Sequence, residues 1–217
     1  MTDIWAVLPV KEMDGAKQRL SSLLSPPQRR ALAEIMLGEV LDALSAARGL
    51  AGLILVTLEP VAIAAAARLG ARVVTDGARD GHTGSVAAAL RLLASEARGG
   101  ALIVPGDIPA VTAGEVEALL SAHQPAPAFT ITPAHDAQGS NAVLLSPPYA
   151  VPLRFGDNSY FPHLDAARAQ RIEPTVVSLP GIAMDIDHPA DLLAFGRLPQ
   201  AAGTRTLALL RSFGVLP

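Results

Sequence analysis

No cysteine occurs among the 217 residues, which excludes a disulfide framework and any thiol chemistry. Aromatic residues make up only 4% and charged residues 17%, while half the chain is hydrophobic. That balance suits a helix-covered sheet built on Ala, Leu and Val and argues against disorder. No stretch approaches the roughly 18 uninterrupted apolar residues that a membrane-crossing helix requires. Met1 to Trp5 show no basic segment leading into a long apolar run, so the expectation is a soluble cytoplasmic protein. Positive charge is not in excess either, with 17 Lys and Arg against 20 Asp and Glu and a net charge of −3. Nucleic acid and anionic membrane therefore have no electrostatic case as partners, and any basic site must be local. Internal repeats, low-complexity tracts and long linkers are missing as well. One domain over residues 1–217 is expected, long enough to remove roughly 70% of its extended-chain surface from water.

What is present is a regular alternation of strand and helix signals. Ile4 to Val10 is apolar throughout and reads as a central strand. A polar loop over residues 11–19 follows, and Ser25-Pro26-Pro27-Gln28 carries a cap residue, early prolines and a Gln three residues on, which opens a helix. Leu53 to Thr57 reads as a strand, residues 61–69 as a helix ending at Gly70, and Ala71 to Thr75 as a strand. The Gly-rich loop 76–84 leads to a helix from Val86 to Ala97. The apolar run Ile103-Val104, closed by Pro105-Gly106-Asp107, reads as a buried parallel strand. Thr112 to Glu115 is a capping box opening the next helix. Such alternation predicts an α/β fold, a doubly wound and mostly parallel sheet. Beyond residue 124 two strands, 127–132 and 141–146, follow each other with no helix between them, so part of the C-terminal half is antiparallel. A short helix from Tyr160 to Ala169, a strand over 175–179, a turn over 184–189, and a helix from Ala190 to Leu198 capped by Asp187 or His188 come next. The amphipathic tail, 204–213, packs on its own sheet or on a second chain, which leaves a homodimer open.

Three groups of residues could carry chemistry. Lys11, Lys17 and Arg19 lie in the loop after the first strand, where parallel sheets receive phosphates. Neither a Gly-Lys-Ser/Thr P-loop nor a Gly-x-Gly-x-x-Gly loop is present, so the cations themselves would be the donors. Asp107 stands just past a strand's carboxyl end. Asp185 and Asp187, two apart, point the same way in an extended segment and could share one ion with Asp107. Magnesium suits such oxygen donors; helix capping by Asp187 is the alternative, and the matching carboxylate of Asp107 at another strand end favours the metal. Gly139-Ser140-Asn141 and Phe155-Gly156-Asp157-Asn158-Ser159 are small, hydroxyl-bearing turns able to approach an anion. His82, His135, His163 and His188 show no ligand spacing and read as surface or cap residues. Taken together, the groups suggest a triphosphate and magnesium facing a phosphorylated acceptor. A phosphate monoester is mostly dianionic at neutral pH and would serve as its own nucleophile.

The order of Leu8-Pro9-Val10-Lys11, Ala16-Lys17-Gln18-Arg19-Leu20, Leu24-Ser25-Pro26, Pro105-Gly106-Asp107-Ile108-Pro109, Gly139-Ser140-Asn141-Ala142, Phe155-Gly156 with Ser159 and His163, and Asp185-Ile186-Asp187-His188-Pro189 with Asp191-Leu192 resembles a known family. It is that of the 2-phospho-L-lactate guanylyltransferases of deazaflavin coenzyme biosynthesis (CofC, called FbiD in actinobacteria). The resemblance implies a Rossmann-like fold of the nucleotide-diphospho-sugar-transferase and molybdopterin-guanylyltransferase type. It also implies transfer of GMP from GTP to phosphoenolpyruvate, 2-phospho-L-lactate or 3-phosphoglycerate, with release of pyrophosphate. By the same resemblance Leu8, Lys11, Lys17, Arg19, Gly84 and Ser85 lie on the nucleotide, with Lys11, Lys17 and Asp107 catalytic. Asp107, Asp185 and Asp187 hold magnesium, and Ser140, Gly156 and Ser159 bind the acid. One departure is Gly84-Ser85-Val86, where the family usually reads Gly-Leu-Asn. A nucleotidyltransferase using another base or a sugar phosphate, and a non-catalytic nucleotide-binding module, are the alternative readings.

Overall fold

A computed structural model describes residues 3–156 and 158–217; the Asp157 of the second turn named above lies outside them. The elements in chain order are β1 (Ile4–Val10), α1 (Pro26–Ala46), β2 (Leu50–Thr57), α2 (Pro60–Leu69), β3 (Arg72–Val74), α3 (Gly81–Ser95), β4 (Gly100–Ile103), α4 (Ala113–Ala122), β5 (Ala128–Pro133), β6 (Ser140–Ser146), α5 (Tyr160–Ala169), β7 (Thr175–Val176), α6 (Pro180–Ala183), α7 (Pro189–Arg197) and α8 (Arg205–Ser212). The strands form one sheet in the order β3-β2-β1-β4-β6-β5-β7. Strand β6 runs antiparallel to both β4 and β5, while the remaining pairings are parallel. The mostly parallel sheet with an antiparallel part in its C-terminal half is thus as expected. Among the described residues no helix is long and apolar enough to cross a membrane.

Side chains of β1 alternate between two cores because successive residues of a strand point to opposite faces. Ala6, Leu8 and Val10 face α1, α2 and α4. Val7 faces α3 and α5 across the sheet, packing with Val86, Leu93 and Leu164. Both faces are covered, as an apolar central strand requires. Helix α1 is apolar on two sides, and its second side meets a further cluster: Leu32 and Met36 pack with Phe195 of α7 and with Leu207 and Leu210 of α8. The tail helix therefore rests on α1, not on the sheet.

Several boundaries differ from the sequence expectation. Helix α3 opens at Gly81, because the Ser85 hydroxyl, 2.9 Å from both the Gly77 and Gly81 carbonyl oxygens, ties the glycine-rich loop into the first turn. Strand β4 lies upstream of the Pro-Gly stop, with Val104 adding one more main-chain bond to Val7 at 3.1 Å. The strand expected over 175–179 is only two residues long, since Pro180 starts α6. Both capping boxes, Ser25 with Gln28 and Thr112 with Glu115, are formed.

Candidate active site

The chain leaves β1 in one direction to β2 and β3 and returns on the other side as β4, so the carboxyl ends of β1 and β4 flank the point where strand order reverses. A crevice opens at such a point and receives ligands. Here a cleft of about 610 Å³ is lined by Lys11, Gly15, Lys17, His82, Asp107 and Asp187, among others. Because β6 is antiparallel, its first residues, Ser140 and Asn141, are delivered to this same edge.

The cationic loop is pinned from below. Met13 is buried, and its main-chain N–H donates to Glu59 Oε2 at 2.8 Å. Arg30 of α1 donates to the other Glu59 oxygen at 3.0 Å. Buried Arg29 donates to the carbonyl oxygens of Ala16 and Leu24 at 3.2 and 2.9 Å. Lys11 and Arg19 remain exposed, whereas Lys17 takes φ 52° and turns inward, its side chain only 8% exposed. A non-glycine residue in this region carries strain that its surroundings must hold. What holds it is a double ion pair: Lys17 Nζ lies 2.5 Å from Asp107 Oδ2 and 2.6 Å from Asp187 Oδ1. Burial works to lower the Lys17 pKa, and the two carboxylates overcome it, so the ammonium is held above its ordinary value. For Asp187, burial works upward and Lys17 and Arg19 outweigh it, leaving the carboxyl below its usual range. Arg19 approaches Asp187 Oδ2 at 3.6 Å from the cleft margin.

Asp107 and the 185–187 segment are stitched together by the main chain, Ile186 N–H donating to Asp107 O at 3.2 Å. Asp185 and Asp187 nevertheless part company. Asp185 Oδ1 accepts from Asn141 Nδ2 at 2.9 Å, and its pKa is raised, first by burial and further by the neighbouring Asp107 and Asp187 charges. Asp187 does not cap α7. The N-cap is His188, one of the two expected candidates, in a capping box with Asp191, whose Oδ2 accepts the main-chain N–H groups of Asp187 and His188 at 2.8 and 2.6 Å. Asp187 is thereby left for the cleft. Among the described residues no group of three or more His, Asp or Glu side chains closes on one point. Two carboxylates, Asp107 and Asp187, converge on a single cation, with Asp185 one step behind. All are hard oxygen donors, and an ion that takes one or two carboxylates plus phosphate oxygens and water matches such a pair.

The second expected site forms a corner beside the cleft. Ser140 Oγ lies 3.0 Å from His163 Nδ1 and 3.2 Å from Ser159 Oγ. Gly156 has φ 146°, a conformation that side-chain-bearing residues rarely adopt. Its loop is fastened to α3 through Phe155 N–H donating to Thr83 Oγ1 at 3.0 Å. Ser140 and Asn141 are consecutive, so this corner and the carboxylates share one strand end. Leu8 is fully buried in the core and offers only main chain. Gly84 sits within α3, where a Cβ would meet Asp80 Cβ at 2.3 Å, and Ser85 is 4% exposed with its hydroxyl engaged as above. From this segment it is His82 that lines the cleft. Burial depresses its pKa to about 4, against Asp107 and together with Lys11.

Glu59 carries no signal in the sequence, and Asn141, Asp191 and His163 stand in the motifs quoted above without the partners the structure gives them. His163 is not a surface residue but is 1% exposed; its spacing of four from Ser159, one helical turn, was the available signal.

A doubly wound sheet with a cation seat and a cationic loop at its switch point defines a nucleotidyltransferase-type protein. Solved structures agree on the fold: a Desulfovibrio desulfuricans protein assigned to the nucleotide-diphospho-sugar transferases superposes with TM-score 0.77 at 20% identity, covering 98% of this chain and 95% of that one. A nucleotidyl transferase from Methanothermobacter gives 0.64 at 19% identity, covering 97% and 99%. The chain belongs to the family described as "Guanylyl transferase CofC like", whose model matches residues 4–216. Relatives include a phosphoenolpyruvate guanylyltransferase of Rubrobacter xylanophilus, 37% identical over 93% of this chain and 96% of that protein. A protein of the same name from Sphaerobacter thermophilus is 39% identical over 88% and 91%. A 3-phospho-D-glycerate guanylyltransferase of Colwellia psychrerythraea is 33% identical over 86% and 88%.

Proposed function

We propose that this protein transfers GMP from GTP to a phosphorylated three-carbon acid, phosphoenolpyruvate first among the three candidates, and releases pyrophosphate, in a step of deazaflavin coenzyme biosynthesis. The observation that carries the reading is the convergence of Asp107 and Asp187 on Lys17 of the cationic loop, in the cleft at the strand ends. Names of relatives such as those from Rubrobacter and Sphaerobacter favour phosphoenolpyruvate over 3-phosphoglycerate.

In this reading Lys11 and Arg19, exposed at the cleft, bind the triphosphate, and Lys17 supplies a further positive charge on release from the carboxylates. Asp107 and Asp187, with Asp185 held in reserve by Asn141, are the residues that would hold magnesium. Magnesium held there would supply charge neutralisation to the triphosphate and the departing pyrophosphate. Ser140, Gly156 and Ser159 bind and orient the acid. A phosphate oxygen of the acid forms a bond to the α-phosphorus of GTP, the bond from that phosphorus to the α–β bridging oxygen breaks, and pyrophosphate leaves with the electron pair. The acceptor dianion needs no protein base, so the chain's task is positioning and charge stabilisation.

The test incubates purified protein with magnesium, GTP or ATP, and each acid in turn, following pyrophosphate release and product mass. A guanylylated phosphoenolpyruvate is expected. Absence of turnover with all three acids would refute the reading.

A further inference from the structure

Both ring nitrogens of His163 are engaged, and the identity of one partner settles where the hydrogen sits. Arg154 main-chain N–H points at Nε2 at 3.1 Å. A main-chain amide can only donate, so Nε2 is the unprotonated acceptor and the neutral ring carries its hydrogen on Nδ1. The same contact excludes the doubly protonated ring. Phe155, 5.0 Å away and edge-on at 69°, and Phe129 at 6.5 Å hold the ring in place. Burial, helped by His82, depresses the ring's pKa to about 4, which keeps it neutral in the physiological range.

The hydrogen on Nδ1 is directed at Ser140 Oγ, and Ser140 Oγ also faces Ser159 Oγ. Two serines bring two hydroxyl hydrogens. One is used between them, in whichever direction that bond runs, and the imidazole takes none. Among the described residues neither hydroxyl has another partner, so one O–H is left to face a ligand. With the hydrogen on Nε2 instead, Ser140 would donate to the ring and Ser159 to Ser140, and only lone pairs would face outward. The tautomer therefore decides whether the pair attracts or repels an anionic oxygen.

We propose that His163 is a positioning residue for the acid-binding corner, its Nδ1–H fixing the Ser140–Ser159 pair as a net hydrogen-bond donor to a carboxylate or phosphate oxygen of the acceptor. This rests on the reading of that corner as the acid's site. The first turn of α5, which begins beside Ser159, favours the same sign of charge. Because His163 is buried beneath the serines, it acts through them.

Two measurements test the proposal. In the wild-type protein, nitrogen-15 spectra of the imidazole should show a neutral ring protonated at Nδ1 at neutral pH, and its signals should move on titration with inorganic phosphate but not in Ser140→Ala. In kinetics, His163→Phe keeps the ring volume and loses both nitrogens, while His163→Asn can return an N–H to Ser140. His163→Phe should raise KM for the acid by about tenfold to a hundredfold, with KM for GTP changed by less than about twofold, and His163→Asn should recover most of the loss. A ring protonated at Nε2, signals indifferent to phosphate, equal rises in both KM values, or an Asn variant no better than Phe would each overturn it. Should no acid be turned over by the wild type, the functional reading falls, while the ring spectrum and phosphate titration still decide the role of His163.

Discussion

Asp191 Oδ2 accepts the main-chain N–H of Asp187 at 2.8 Å and completes the capping box that opens α7 at His188. The same oxygen accepts from His188 N–H at 2.6 Å, which leaves the Asp187 side chain to the cleft. Asp191→Ala should lose a cap worth about 1 kcal/mol and also let Asp187 reorient. The expected result is a lower unfolding midpoint in denaturant together with a reduced kcat. A drop in stability with turnover untouched would confine Asp191 to capping.

Asp107→Asn keeps the shape of the side chain and removes its charge from the cation seat. Turnover should fall by about a hundredfold or more, with the circular dichroism spectrum and unfolding midpoint near those of the wild type. Unchanged turnover would return Asp107 to the class of ordinary turn residues.

In the metal-free protein Lys17 already neutralises Asp107 and Asp187. Chelation should therefore stop turnover while shifting the wild-type unfolding temperature little. In Lys17→Met the two carboxylates lose their shared cation, and like charges left together destabilise. That variant should unfold at lower temperature than wild type in chelator, and magnesium should narrow the gap. Thermal scans with and without magnesium check this; a variant indifferent to magnesium would contradict the cation seat.

Glu59 is buried at the root of the cationic loop, accepting from Met13 N–H and from Arg30. Glu59→Gln keeps the volume but loses the charge, and one of its atoms becomes a donor facing a donor. A loss of about 1–3 kcal/mol is expected, with KM for GTP rising more than KM for the acid. Steady-state kinetics and chemical denaturation read both.

Burial holds His82 and His163 at pKa values of about 4, against roughly 6.5 in the unfolded chain. Between those values the unfolded state binds more protons than the folded one, so stability rises with pH across the window. The contribution is complete above about pH 6.5 and is lost as pH falls towards 4. Unfolding midpoints measured through this range should decline more steeply for wild type than for His163→Phe; parallel declines would show that His163 titrates normally.

Much of the fold was readable because its signals are local. The capping boxes at Ser25 and Thr112 and the Gly70 helix end each depend on a few neighbouring residues, and the structure forms them all. Asp187 stays open between metal ligand and helix cap in the sequence, because a capping aspartate and a cleft aspartate look alike until Asp191 is seen to take the amides. The expectation of a surface or cap residue at His163 fails because burial of a lone histidine depends on what packs over it, here Phe155 and Phe129.

The βα rhythm, the parallel first half and the chemical character of the candidate site are legible along the chain, since hydrophobic period and cap chemistry act over one or two turns. Which residues meet depends on how the strands are ordered and directed. Lys17 reaches Asp107 and Asp187 across 90 and 170 residues, and that convergence follows from strand order and direction. An antiparallel β6 brings Ser140 and Asn141 to the edge where β1 and β4 end, and a parallel one would have carried them to the opposite edge.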